Sequence, residues 1–173
     1  MNNNGRKTIY QGKILDFGLE KVQLENGKSS NMEIVRHPGG AGILAIDERD
    51  YVCLLRQYRY SVKDWIWEIP AGLIDRNEEP LNTAKRELRE EAGLVAKEWK
   101  SLGFILPTPG FCNEKIFLYE ARAIRFVGSN PEAEEQIEIH WLTLSEALDM
   151  AINNQIVDAR TIAILMRTNQ VMT

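Results

Sequence analysis

Polar and apolar residues alternate along the first forty positions. The stretches "KTIYQGKIL" (7–15) and "LEKVQLENGKSSNMEIVRH" (19–37) read as short strands, with Asn26-Gly27 as the turn of a hairpin. Two denser apolar runs follow, "GILAID" (42–47) and "YVCLLRQYR" (51–59), which read as paired strands joined through Glu48, Arg49 and Asp50. "DWIWEIPAG" (64–72) predicts one more strand, stopped by Pro70 and Gly72. The period then changes. Leu81, Ala84, Leu88 and Ala92 recur at helical spacing between Pro80, suited to a first turn, and Gly93, suited to the position past a last turn. Strand-like "WKSLGFIL" (99–106) and "KIFLYEARAI" (115–124) flank a turn-rich "PTPGFCNE" (107–114). After an acidic loop, "GSNPEAEEQ" (128–136), comes the strand "IEIHWLTL" (137–144). Two helices close the chain: one starting at Ser145 and one over 158–169, with Ile162, Ile164 and Leu165 on one side. Many strands with a central helix and terminal helices predict an α+β domain, its sheet held between helices.

Composition narrows this reading. A chain of 173 residues, 44% hydrophobic and 27% charged, can bury a core without disulfide or zinc staples. No apolar run approaches membrane-spanning length, and the start "MNNNGRKTIY" lacks the apolar segment of a signal peptide. Cys53 and Cys112 are far apart in sequence, so a disulfide framework is not expected and a reducing cytoplasm is. Net charge is −4, with no basic block, which argues against a nucleic-acid partner. An anionic substrate would be repelled unless cations intervened.

The central helix carries "RELREEAG" (86–93). At about 100° per residue, Glu87, Glu90 and Glu91 share one face beside the apolar stripe. Like charges at that spacing destabilise a helix unless they are neutralised. A hard divalent cation with oxygen ligands does so, and Mg²⁺ commonly joins carboxylates to substrate phosphates. An acidic run is more often a solvated face, and Arg86 and Arg89 could partly neutralise this one.

The wider spacing favours the first alternative. Gly72, Glu78 and then "RELREEAGL" fit G-x5-E-x7-R-E-U-x-E-E-x-G-U, where U is aliphatic, at nine positions in a window of 23 residues. This resembles the signature of the Nudix hydrolases. The resemblance implies an α/β/α sandwich with a mixed central sheet, here over residues 41–173, preceded by N-terminal antiparallel strands over 1–40. It implies hydrolysis of a nucleoside diphosphate linked to a further group, with Mg²⁺ (or Mn²⁺). Glu87, Glu90 and Glu91 correspond to the metal ligands, joined by the Ala71 carbonyl, with Glu91 and Glu87 catalytic. Glu78 and Arg86 would pair to fix loop against helix, and Gly72 would give a tight turn.

"RQYR" (56–59), "EIPAGLID" (68–75) and "PTPGFCNE", with Pro109, resemble the branch that cleaves ADP-ribose and related nucleotide sugars. Guanidinium forks match phosphate oxygens, which suggests Arg59 and Arg36 for the diphosphate or terminal ribose. Trp65 and Trp67 share a strand face, and Trp67 is a candidate base-stacking surface, although such residues are more often core or interface. Phe111 could wall the same site, and Glu114 could contact a ribose hydroxyl. In the acidic loop, Glu135 is the expected further catalytic acid, with Glu134 and Glu132 as alternates. His37, His140 and Cys112 are expected to play no catalytic part. The resemblance implies a homodimer built through the N-terminal strands. A broad or GDP-mannose-type pyrophosphatase is the alternative activity. A non-catalytic ADP-ribose sensor is less favoured, because all three glutamates are present.

Overall fold

The computed structural model describes residues 5–129 and 136–169. Three strands, β1 (Arg6–Gln11), β2 (Asp16–Gln23) and β3 (Ser29–Arg36), form an antiparallel sheet. The β2–β3 hairpin turns where the sequence places it. Gly27 takes φ 78° and donates to the Leu24 carbonyl at 3.0 Å, while the Asn26 side chain accepts from Lys28 N–H. Within these strands only Gly18 is fully buried.

The next strands are β4 (Gly40–Ala45), β5 (Tyr51–Arg59), β6 (Asp64–Glu68) and β7 (Ala71–Leu73). Helix α1 (Pro80–Ala92) leads into β8 (Leu94–Ile105), β9 (Ile116–Phe126) and β10 (Ile137–Thr143), and the chain closes with α2 (Leu144–Ile152) and α3 (Ala159–Asn169). One sheet runs β7-β4-β9-β8, with a parallel pairing of β4 and β9 at its centre, and a second runs β10-β5-β6. The single strand expected over 64–72 is two strands in two sheets. Pro70 has no N–H to give a ladder, Ile69 N–H goes to the Thr161 hydroxyl at 2.9 Å, and the Pro70 carbonyl accepts from Ile43. The chain therefore crosses from β5 to β4 at Ile69-Pro70, and this step delivers Ala71 and Gly72 to α1.

Period-2 alternation in β4 and β5 divides the core. Leu44, Ile46, Val52 and Leu54 face Ile164 and Leu165 of α3. Ala41, Ile43, Cys53 and Leu55 face Ala84, Leu88 and Ala92 of α1. The α+β sandwich expected from the sequence is the one found. Helix α1 ends as the sequence predicts, with Gly93 at φ 68° donating to Arg89 O. The start of α2 is corrected from Ser145 to Leu144. Thr143 caps it, accepting from Glu146 N–H at 3.1 Å while the Glu146 carboxylate accepts from Thr143 N–H at 2.8 Å.

Candidate active site

A cleft of about 640 Å³ opens between β7, the buried flank of α1 and the start of α3. Its walls include Ala71, Gly72, Glu87, Glu90, Glu114 and Arg59. Glu91 is 3% exposed and Glu87 9%, so two of the carboxylates are buried while Glu90 reaches outward. Backbone from β7 meets them directly: Ala71 N–H donates to Glu91 Oε2 at 2.8 Å.

Gly72 lies in β7 rather than in a tight turn, which corrects the sequence expectation. Its reason is proximity. A Cβ at this position would stand 2.0 Å from the Glu87 carboxyl carbon, so a side chain here would turn that carboxylate out of the orientation it holds against β7.

Arg86 closes the loop onto the helix. Its Nη2 donates to Glu78 Oε2 and to the Leu73 carbonyl, both at 3.1 Å, and its Nη1 to Glu87 at 2.6 Å and Glu90 at 3.2 Å. Glu78 also accepts from the Thr83 hydroxyl at 2.8 Å. The hydrogen bond from Arg86 holds the Glu78 carboxyl below its ordinary range. Burial works against the charge on Arg86, but Glu78 and Glu87 outweigh it and raise its pKa. Burial, with Glu91 nearby, pushes the Cys53 thiol up to about 12.

Other candidates divide into two groups. Arg59 lines the cleft, its Nε and Nη2 gripping buried Glu68 at 2.9 and 2.5 Å. Glu114 lines it beside His37, whose Nδ1 accepts from Gly39 N–H and stands 3.5 Å from the carboxylate. His37, read from sequence as uninvolved, thus belongs to the wall. Arg36, Trp67 and Phe111 are not brought to this cleft within one chain. Arg36 forks onto Glu20, at 2.9 and 2.6 Å, inside the N-terminal sheet. Trp67 packs on the core and edge-on to His140, with Arg56 over its ring. Phe111 is exposed. Glu135, Glu134 and Glu132 lie outside the described residues. Sequence reasoning missed Arg160, which lines the cleft from the first turn of α3, and Lys13 of the β1–β2 loop. Nothing in "DARTI" separates Arg160 from an ordinary solvated helix residue.

The oxygen-only donors Glu87 and Glu90 in the cleft wall, with Glu91 buried one turn along α1 against Ala71 N–H, suit a hard divalent cation. Among the described residues no three acidic, imidazole or thiol side chains are already gathered as a ligand shell. Glu87 and Glu90 are turned to Arg86, so holding a cation requires rotamer changes at these two residues.

A family model described as NUDIX domain matches residues 36–163. The chain belongs to the NUDIX family. The NUDIX match begins at the last residue of β3 and ends within α3, so it contains the carboxylates, Arg59 and Arg160 but not Lys13. Among relatives, an ADP-ribose pyrophosphatase of Bacillus subtilis (strain 168) is 35% identical over 158 residues, 90% of this chain and 85% of that protein. A protein named methanol dehydrogenase activator, from Bacillus methanolicus, is also 35% identical, over 89% of this chain and 84% of its own. An ADP-ribose pyrophosphatase of Mycobacterium tuberculosis is 34% identical over 96% of this chain and 82% of its own. A crystal structure of an ADP compounds hydrolase superposes with a TM-score of 0.83 at 19% identity, covering 96% of this chain and 91% of that one, a likeness of fold.

Proposed function

We propose that this NUDIX protein hydrolyses the diphosphate of ADP-ribose to AMP and ribose 5-phosphate. The observation that carries this reading is the 35% identity to an ADP-ribose pyrophosphatase across nine-tenths of the chain. The cleft, where Glu87, Glu90 and Glu114 meet Arg59, Arg86 and Arg160, is chemically suited to it. Glu87, Glu90 and Glu91, with the Ala71 carbonyl, would hold Mg²⁺ or Mn²⁺. Such ions, when bound, offset diphosphate charge and make bound water more acidic.

The remaining roles fall to the chain itself. Glu78 and Arg86 fasten the loop to α1 and so fix Gly72 against Glu87. Arg59 offers a guanidinium edge to phosphate oxygens. Glu114 takes a ribose hydroxyl, and Glu135 orients the attacking water. Arg36, Trp67 and Phe111, away from the cleft of one chain, reach substrate in a homodimer built through residues 1–40. Ile9, Tyr10, Ile14 and Leu15 are exposed apolar residues on that segment and would be covered by a second copy. A reducing cytoplasm keeps Cys53 and Cys112 as thiols.

The deciding experiment compares initial rates on ADP-ribose, other nucleotide sugars, dinucleotides and triphosphates, each with Mg²⁺ or Mn²⁺. ADP-ribose is expected to lead in kcat/KM by roughly tenfold or more. GDP-mannose or a broad set at equal rates would replace it with the general nucleotide-sugar activity. Tight calorimetric binding of ADP-ribose without product would mean a sensor.

A further inference from the structure

Buried Glu68 sits at the centre of a charged array that the signature does not include. Its Oε2 accepts from Arg59 at 2.5 Å and from Arg160 at 2.7 Å, bringing two guanidinium groups to one carboxylate. Arg160 is held from the other side by Asp158, whose Oδ1 accepts from its Nε at 3.0 Å. Asp158 in turn caps α3, accepting from Thr161 N–H at 3.0 Å and from the Thr161 hydroxyl at 2.7 Å. That hydroxyl accepts from Ile69 N–H, one step before the turn into β7. Among the described residues, two donor nitrogens of this array have no acceptor. Arg59 uses Nε and Nη2, Arg160 uses Nε and Nη2, and no described residue accepts from Nη1 of either.

Both arginines line the cleft. Two guanidinium groups so near each other would repel, and Glu68 offsets that repulsion while fixing both planes. The remaining donors are therefore pre-oriented and cost little ordering when an anion arrives.

We propose that Arg160 is a phosphate-binding residue, paired with Arg59 as a clamp on the diphosphate, and that Glu68 and Asp158 are its positioning residues. The inference rests on the reading of the cleft as a diphosphate site, not on ADP-ribose being the substrate. It assigns to the start of α3 a part in ground-state binding that is separate from the carboxylates of α1.

Inorganic pyrophosphate, with neither base nor sugar, is the probe. Its affinity is measured with Mg²⁺ by calorimetry on the full chain, for wild type, Arg160→Ala, Arg160→Lys and Arg167→Ala. Arg167 also anchors α3, through the Leu102 and Phe104 carbonyls, so its variant reports the cost of loosening that helix. Arg160→Ala is expected to weaken pyrophosphate about tenfold, the loss of one charge-assisted contact. On the substrate identified by the panel, KM should rise by a similar factor while kcat moves less, and Arg167→Ala should leave both near wild type. Arg160→Lys, which keeps the charge without the fork, is expected to fall between. Pyrophosphate affinity within twofold of wild type in Arg160→Ala overturns the clamp, as does an equal loss in Arg167→Ala. Should the alanine variant fail to fold, unchanged affinity in Arg160→Lys overturns it instead. Failure of the ADP-ribose reading shows separately, as wild type that binds pyrophosphate but does not turn over ADP-ribose.

Discussion

At Gly72 the chain has room for a hydrogen atom and nothing larger, because the Glu87 carboxylate occupies the space a side chain would take. Gly72→Ala must turn the Glu87 carboxylate aside or shift the β7 backbone; turning the flexible tip is the cheaper, so the stability cost is about 1 kcal/mol. The expected outcome is a lower Tm together with a loss of activity larger than the stability change alone explains, checked by thermal unfolding and steady-state kinetics on one preparation. Glu91→Gln separates charge from shape. The amide can still accept from Ala71 N–H, so the fold should persist while kcat falls by about 100-fold or more; undiminished turnover at saturating Mg²⁺ would remove Glu91 from the chemistry. At this scale the acidic ladder was legible, since helical spacing alone puts Glu87 and Glu91 on one face. The reason for Gly72 was not, because it depends on a strand and a helix meeting through space. Arg160 was hidden for the same reason. Its partner Glu68 lies on a strand far back in the chain, and neither residue marks the other in sequence.

Elements carry their own consequences. The reciprocal cap at Thr143 and Glu146 stands on α2, away from the cleft. Thr143→Ala should cost about 1 kcal/mol, read as a fall in Tm of about 2–4 °C in a chain of this size, with kcat and KM unchanged. The loop joining β7 to α1 is different, because Arg86 and Glu78 tie it down. A carboxyl whose pKa is depressed on folding contributes stability that is present above its unfolded value, 4.5, and lost as pH falls through the lower folded value. Glu78→Gln should therefore flatten the acid side of the stability–pH curve, measured by urea unfolding between neutral pH and the acid range. Helix ends at Pro80 and Gly93 could be read from sequence, since each residue type has a backbone reason for its place. The division of 64–72 into β6 and β7 could not. Both halves are apolar, and only the sheet partners distinguish them.

For the whole molecule, the sandwich was expected from the order of strands and helices, and the period-2 alternation of β4 and β5 is how the two helical layers are served. What a single sequence could not convey is how little of the N-terminal sheet is covered: β1, β2 and β3 together bury one glycine fully, while Ile9, Tyr10 and Met32 remain exposed. If this sheet is the dimer surface, light scattering should give about twice the chain mass of 19.8 kDa. Substituting Ile9 and Tyr10 with glutamate should yield monomers with a raised KM. A monomeric wild type with full activity would rule the dimer out.

The parallel ladder of β4 and β9 also sets a timetable for the nascent chain. Residues 40–45 leave the ribosome before either neighbouring strand: residues 71–73 pair one flank first, and the other must wait for residues 116–121. At ordinary elongation rates that delay is on the order of ten seconds. Through this interval an apolar segment is bare along one edge, and its Leu44 face waits longer still for α3, so chaperone demand should decline only once Leu165 has emerged.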